Sequence, residues 1–331
     1  MFRVFVMVAC GLVVAVIVAL GAMIAFGTSK PAPPLASIGE PFKSVDFSDL
    51  PPVERIPARH GTPIAFRVWR ENPPAPQPAL VVIAIHGSSA TSSSLHPLAK
   101  ALGAEGIAVY APDIRGHGQT GVRGDIDYAG QLDDDLTDFV AAVRARHGQA
   151  KLVLLGFSSG GGYALHVAAT PLGNSFQRAV LLSPMLGARA PTYRPTEAWA
   201  TPYIPRIIAL ALLNRVGIHA FDHLTVLAFA IDPKRADILT DHYSWLLTRN
   251  FATKDYAADL RNASCPVAVL VGEKDELFDA AKFAPTIAAV RTDIPVTVIP
   301  GLSHIEMTTD PRAVPAIVAA VRGAGAAHTN P

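Results

Sequence analysis

Apolar positions divide the chain into three regimes. Val4 to Phe26 is apolar or small at every position and carries no charge. Residues 30–52 are interrupted by proline, beginning Lys30-Pro31-Ala32-Pro33-Pro34-Leu35. From residue 53 to about 325, short continuous apolar runs alternate with longer stretches of helical period. The short runs, Ala79–Ile85, Lys151–Leu155, Ala179–Leu182, Pro266–Val271 and Pro295–Ile299, lack polar alternation, as strands buried on both faces do. Between them lie helical patterns such as Leu132–Arg146, with an acidic start at Asp133-Asp134-Asp135 and a basic end that suit the helix dipole. This alternation predicts an α/β fold with a mainly parallel central sheet flanked by helices and ligands at the C-terminal ends of its strands.

Two stretches depart from it. Val53–Ile56 and Ile64–Trp69 show period-two alternation around a His60-Gly61-Thr62-Pro63 turn, which predicts an opening hairpin, with a loop over Pro73–Pro78 after it. From about 187 to 262 the alternation stops and the pattern reads as helices, Tyr203–Val216 among them.

At 1.5 Å per residue, Val4–Phe26 can cross a hydrocarbon core of about 30 Å, so residues 1–29 are a transmembrane-anchor candidate. The rival is a cleaved signal peptide, whose apolar core is usually about 7–15 residues; here no small-x-small site closes the run. Met7-Val8-Ala9-Cys10 imitates a lipoprotein cleavage box, but too little apolar sequence precedes it. Arg3 and the α-amine, set against Lys30, place the N-terminus in the cytoplasm and the following domain on the outer, extracytoplasmic side. Residues 30–52 then read as a semi-extended tether and 53–325 as the domain. Cys10 lies in the apolar helix and Cys265 opens a strand, so no disulfide is expected.

The chemistry concentrates where an apolar run breaks into Gly156-Phe157-Ser158-Ser159-Gly160 and a helical pattern follows. Strand, sharp turn and helix are the context in which Gly-x-Ser-x-Gly marks a nucleophilic serine. Side chains at the flanking glycines would collide with neighbouring backbone, and the Ser159 amide, opening the helix, faces the place where an oxyanion would form. An acid and a histidine should follow in that order at later strand ends. Asp275, just past Gly272, is the acid, with Glu273 and Asp279 as alternatives, and His304, after Pro295–Pro300, is the general base. His60, His147 and His328 lie in polar, turn-like stretches, and His219, His223 and His242 lie in the 187–262 insertion, away from strand ends. Ser88, following the His86-Gly87 turn, supplies the second oxyanion amide, while His86 orders that loop beside the substrate. Met185 and Leu186, just beyond a strand, are candidate substrate contacts.

His86-Gly87-Ser88-Ser89, Asp113-Ile114-Arg115-Gly116-His117-Gly118, Gly156–Gly160, Gly272–Asp275 and Ser303-His304 together resemble the α/β-hydrolase superfamily, and within it the lysophospholipase and monoacylglycerol lipase group. The resemblance spans about residues 53–322. It implies that the 187–262 insertion is a helical cap roofing the site. It also implies a serine hydrolase acting on carboxylic esters, small-molecule or lipid, through an acyl-enzyme, which the apolar residues 1–29 would anchor to a membrane. Acyltransferase and peroxidase-type activities share these residues, and a non-catalytic binding protein is the more distant alternative. The first motif reads Gly-Ser-Ser where many relatives carry a bulky residue after the glycine, which bears on the width of the acyl pocket.

Composition narrows the class further. The 331 residues are 50% hydrophobic, ample for one large core, and only 17% charged. A net charge of +1, without a basic cluster interleaved with aromatics, gives no reason to expect nucleic acid. No histidine or cysteine spacing indicates a metal, and no motif indicates a cofactor.

Overall fold

A computed structural model of the chain describes residues 1–70, 79–195, 199–235 and 237–323. The expected loop at Pro73–Pro78, His328 and the last residues of the expected domain lie outside them. An eight-stranded sheet holds β1 (Glu54–Ile56), β2 (Ile64–Trp69), β3 (Leu80–Ile85), β4 (Ala108–Pro112), β5 (Lys151–Phe157) and β6 (Arg178–Leu182). A separate three-stranded sheet follows, with β7 (Ala200–Pro202), β8 (Thr225–Phe229) and β9 (His242–Ser244), before β10 (Val267–Gly272) and β11 (Val296–Ile299) complete the large one. The strand order is β1-β2-β4-β3-β5-β6-β10-β11. The β1–β2 and β2–β4 pairs are antiparallel, and every other pair is parallel.

The chain's helices are α1 (Phe2–Phe26), α2 (Ala36–Gly39), α3 (His96–Ala104), α4 (Gln131–Arg146), α5 (Ser159–Ala168) and α6 (Ile204–Arg215). Then come α7 (Trp245–Asn250), α8 (Tyr256–Asn262), α9 (Ala280–Ala288), α10 (Glu306–Thr309) and α11 (Val314–Arg322). Strands β3, β4, β5, β6 and β10 bury both faces, as their unbroken apolar runs require, whereas β11, expected to be buried likewise, is the edge strand and leaves Val298 exposed. Val81, Ile83 and Ile85 of β3 face a layer with Leu136 and Phe139 of α4 and Leu165 of α5. Val82 and Ala84 face the opposite layer, with Leu98 and Leu102 of α3 and Ile317 and Val321 of α11. Leu154, fully buried on β5, illustrates the energetics: truncation to alanine there would cost about 2–5 kcal/mol.

The opening hairpin forms as expected, with Gly61 at φ +90° in its turn. Helix α4 begins one residue early and keeps its acidic first and basic last turns. Two expectations need correction. The insertion at 187–262 is mixed rather than helical: α6, α7 and α8 accompany the antiparallel sheet β7-β8-β9, whose strands have only three to five residues each. Residues 30–52 are not a semi-extended tether throughout. Ala36–Gly39 is helical, Glu40–Ser44 is a 3-10 turn, and Ile38, Phe42 and Leu50 pack on the core.

Helix α1 is 25 residues with a mean hydropathy of 3.0, long and apolar enough to cross a membrane; a signal sequence has the same character. Its C-terminal end meets the insertion, where Arg206 Nε donates to Ile24 O at 2.8 Å.

Candidate active site

The parallel strands carry the reactive side chains to one edge of the sheet. Strand β5 ends at Phe157 and α5 begins at Ser159, leaving Ser158 as the single joining residue at φ +55° and ψ −119°. That conformation is costly for a residue with a Cβ, and it is enforced from all sides. Ser158 N donates to Leu182 O at 2.9 Å, and Ser158 O accepts from Gly162 N at 3.0 Å and Met185 N at 2.9 Å. The close approach explains the two glycines. A Cβ on Gly156 would strike Gly160 O, and one on Gly160 would strike His86 O and come within 2.6 Å of Ile85 O.

Asp275 lies three residues beyond β10 and His304 in the loop after β11. His304 Nδ1 donates to Asp275 Oδ2 at 2.8 Å, and Ser158 Oγ donates to His304 Nε2 at 3.0 Å. Asp275 Oδ1 accepts the amides of Leu277 at 3.0 Å and Phe278 at 2.9 Å, which fixes the carboxylate plane. Phe157 and Phe278 hold the imidazole between them, at 4.8 and 5.2 Å between ring centroids. All three polar residues are buried. Glu273 and Asp279 are elsewhere: Glu273 accepts from Gly301 N, and Asp279 faces Arg194 and Lys282. His219, His223 and His242 each pair with an aspartate and none reaches Ser158.

Gly87, just before Ser88, lies against Ser158, a Cβ there coming within 3.3 Å of the Ser158 Cβ, and the amides of Ser88 and Ser159 donate to no other group among the described residues. The loop carrying Ser88 is braced by partners that sequence reasoning missed. Tyr243, from β9, accepts from Ser89 N at 2.8 Å and donates to His117 Nε2 at 2.5 Å, while Trp199 Nε1 donates to Ser88 Oγ at 3.0 Å. Ser89 Oγ donates to Thr240 O at 2.7 Å. His86 Nδ1 donates to Gly87 O and its Nε2 accepts from Ile114 N, a pattern open only to a neutral ring. Burial pushes the His86 and His117 pKa values down, and the neighbouring His86 adds to the effect at His117.

The run from Asp113 to Gly118 forms the floor of this brace. Asp113 accepts the amides of Ser92 at 2.8 Å and Gln119 at 3.0 Å, and any side chain on Gly118 would strike its carboxylate. Arg115 makes a buried two-bond pair with Asp135, at 2.6 and 2.9 Å.

The family described as Hydrolase_4 (serine aminopeptidase, S33) matches residues 76–312. The chain belongs to the Hydrolase_4 family. It is therefore a hydrolase of the α/β-hydrolase fold and of the serine type, in the group that includes monoacylglycerol lipases. It is 27% identical over 261 residues to a monoacylglycerol lipase of Mycolicibacterium smegmatis, covering 74% of this chain and 86% of that one. It is 24% identical over 265 residues to a non-heme haloperoxidase of Rhodococcus erythropolis, covering 75% and 92%. A solved soluble variant of monoglyceride lipase from Saccharomyces cerevisiae, in complex with a substrate analog, shares the fold with a TM-score of 0.63 at 17% identity, over 85% of this chain and 96% of that one.

In this Hydrolase_4 enzyme a cleft opens above Ser158 and His304. Its walls are mainly apolar: Trp199, Ile231 and Leu239 from the insertion, Leu277 and Ile305 beside the histidine, and Phe42 from the N-terminal side. Three expected substrate contacts are not on these walls. His86 is fully buried behind its loop, and Leu186 is packed in the core. Met185 is drawn under the elbow by its amide bond to Ser158 O. The chain turns beneath α5 directly after β6, so these residues support the serine from below. The described residues hold no cluster of metal-ligating side chains, and Cys10 and Cys265 are both free.

Proposed function

We propose that the chain is a membrane-anchored esterase that cleaves lipid-like carboxylic esters, of monoacylglycerol or lysophospholipid type, through an acyl-enzyme on Ser158. The observation that carries this reading is a largely apolar cleft whose floor is a serine hydrogen-bonded to a histidine. Such a cleft binds an acyl chain by burying it and leaves the carbonyl beside Ser158 Oγ. His304 takes the proton of Ser158 as its oxygen attacks, and Asp275 keeps Nδ1 protonated and steadies the imidazolium. The amides of Ser88 and Ser159 stabilise the oxyanion. His304 returns the proton to the leaving alcohol, then removes one from the incoming water to release the acid and restore the serine. The monoacylglycerol lipase relative supports the substrate class.

Helix α1 serves as a single-pass anchor, with Arg3 on the cytoplasmic side and the hydrolase domain outside. Oriented this way, the anchor keeps the cleft near a lipid source.

The test is hydrolysis of p-nitrophenyl esters from acetate to palmitate, then of monoacylglycerol and lysophosphatidylcholine, with Ser158→Ala as the blank. Turnover abolished by the substitution and rising with acyl length is expected. Turnover unaffected by the substitution would refute the serine mechanism. Partition of the acyl group to added alcohol rather than water would indicate an acyltransferase.

A further inference from the structure

The cleft's N-terminal wall comes from residues that precede the hydrolase sheet. Leu35, Ile38, Gly39, Phe42 and Phe47 line it, opposite Trp199 and Leu239. This wall is fastened at several points. Ile38 and Phe42 pack against the buried layer of α3 and α11. Asp49, just past the wall, accepts from Lys100 Nζ at 2.6 Å and from His96 Nε2 at 3.1 Å. His96 Nδ1 in turn accepts from Trp69 Nε1 at 2.9 Å, so one proton on Nε2 satisfies both contacts. Across the cleft the guanidinium of Arg235 stands 5.8 Å over the Phe42 ring, joining the wall to the insertion. Upstream, Ala32 N donates to Thr201 Oγ1 at 3.2 Å, so the segment stays attached to the insertion as it leaves α1.

We propose that residues 34–47, with Ile38 and Phe42 foremost, are the specificity-determining wall of the acyl site and set the acyl length that the enzyme prefers. This rests on the ester-cleaving reading above. The short acyl portion of an acetate ends near Ser158, whereas a long chain must run along the cleft and cover apolar wall. Each methylene buried there is worth about fourfold in kcat/KM. Removing the Phe42 ring withdraws partner surface from several methylenes, and its penalty therefore grows with chain length. A domain cut at Val53 would lack this wall while retaining Ser158, Asp275 and His304.

The experiment uses the full chain in phosphatidylcholine nanodiscs and compares wild type with Ile38→Ala, Phe42→Ala and Gly39→Leu. A Cβ on Gly39 meets nothing within 4 Å, so a side chain can start there without striking its neighbours. Unchanged melting temperatures establish that a variant is folded. The ratio of kcat/KM for p-nitrophenyl laurate to that for acetate should fall about tenfold in Phe42→Ala and severalfold in Ile38→Ala. In Gly39→Leu the preferred length should shorten. Independently of turnover, cis-parinaric acid should bind Ser158→Ala about tenfold more weakly when Phe42→Ala is added. Folded variants with an unchanged length profile and unchanged parinaric affinity would overturn the proposal. If wild type hydrolyses no ester of any length but Phe42→Ala still weakens parinaric binding, the wall stands and the ester reading falls.

Discussion

Replacing Tyr243 by phenylalanine removes one oxygen from a point where the insertion is fastened to the loop bearing Ser88. That hydroxyl accepts the buried amide of Ser89 and donates to the buried Nε2 of His117. The ring itself stays in place, because Phe229, His117 and Phe251 surround it at 4.6, 5.1 and 6.5 Å between centroids. No sizeable cavity is therefore created, and the cost is that of two buried polar atoms left without partners. At about 1–3 kcal/mol each, and with some relaxation between neighbours, the expected loss is about 2–4 kcal/mol. His117 cannot recover its bond by moving its proton, since Nδ1–H already faces Ile114 O at 3.1 Å. Chemical unfolding monitored by tryptophan fluorescence measures the loss directly as a lower midpoint at unchanged slope. The same change loosens the Ser88 amide, so kcat on a short ester should fall about tenfold or more, with less effect on KM. A loss below about 0.5 kcal/mol with unaltered kcat would refute this account of the loop.

Gly160→Ala should leave little soluble protein, because its Cβ would lie 2.6 Å from Ile85 O with no flexible side chain to give way; expression and circular dichroism check this. Asp275→Asn keeps acceptors for Leu277 and Phe278 but presents an amide N–H to His304 Nδ1, so the ring presents Nε2–H to Ser158. The expected outcome is a fall of about 10⁴-fold in kcat with a nearly unchanged melting temperature. His166 is held at a pKa of about 9 by hydrogen bonds to Asp133 and Asp259 against a desolvation that opposes them. Its folded value is raised, so its stabilisation is complete below pH 6.5 and is lost as pH climbs from there to about 9. Contacts of 3.4 and 3.8 Å limit the amount to about 1–3 kcal/mol, and His166→Gln should flatten the decline of stability over that window.

Much of the site could be read in the sequence because the chemistry demands fixed local geometry. Gly156, Ser158 and Gly160 mark a strand-to-helix turn through which only those residue types pass, and Asp275 and His304 lie in the loops after strands that their apolar runs reveal. The insertion was harder. Strands β7 to β9 have too few residues to show alternation, and their pairing is decided by contacts with one another. Tyr243 gives no local sign of its role, since its partners Ser89 and His117 lie 154 and 126 residues away. Proline masked the 30–52 segment, although Leu35, Ile38 and Phe42 stand at i, i+3 and i+7, the spacing of one helical face. Met185 and Leu186 were misplaced because a strand end alone does not say whether the chain next rises over the sheet or passes beneath it.

The strand order also governs when activity becomes possible during synthesis. Strand β10 pairs with β6, so the insertion must be complete before the sheet can close, and His304 arrives 146 residues after Ser158. At about 5–20 residues per second, a ribosome carries Ser158 without its hydrogen-bond partner His304 for roughly 7–30 s. The apolar helix α1 leaves the ribosome well before the imidazole. On the mechanism proposed above, a product truncated before His304 would lack the general base and would not attack an ester.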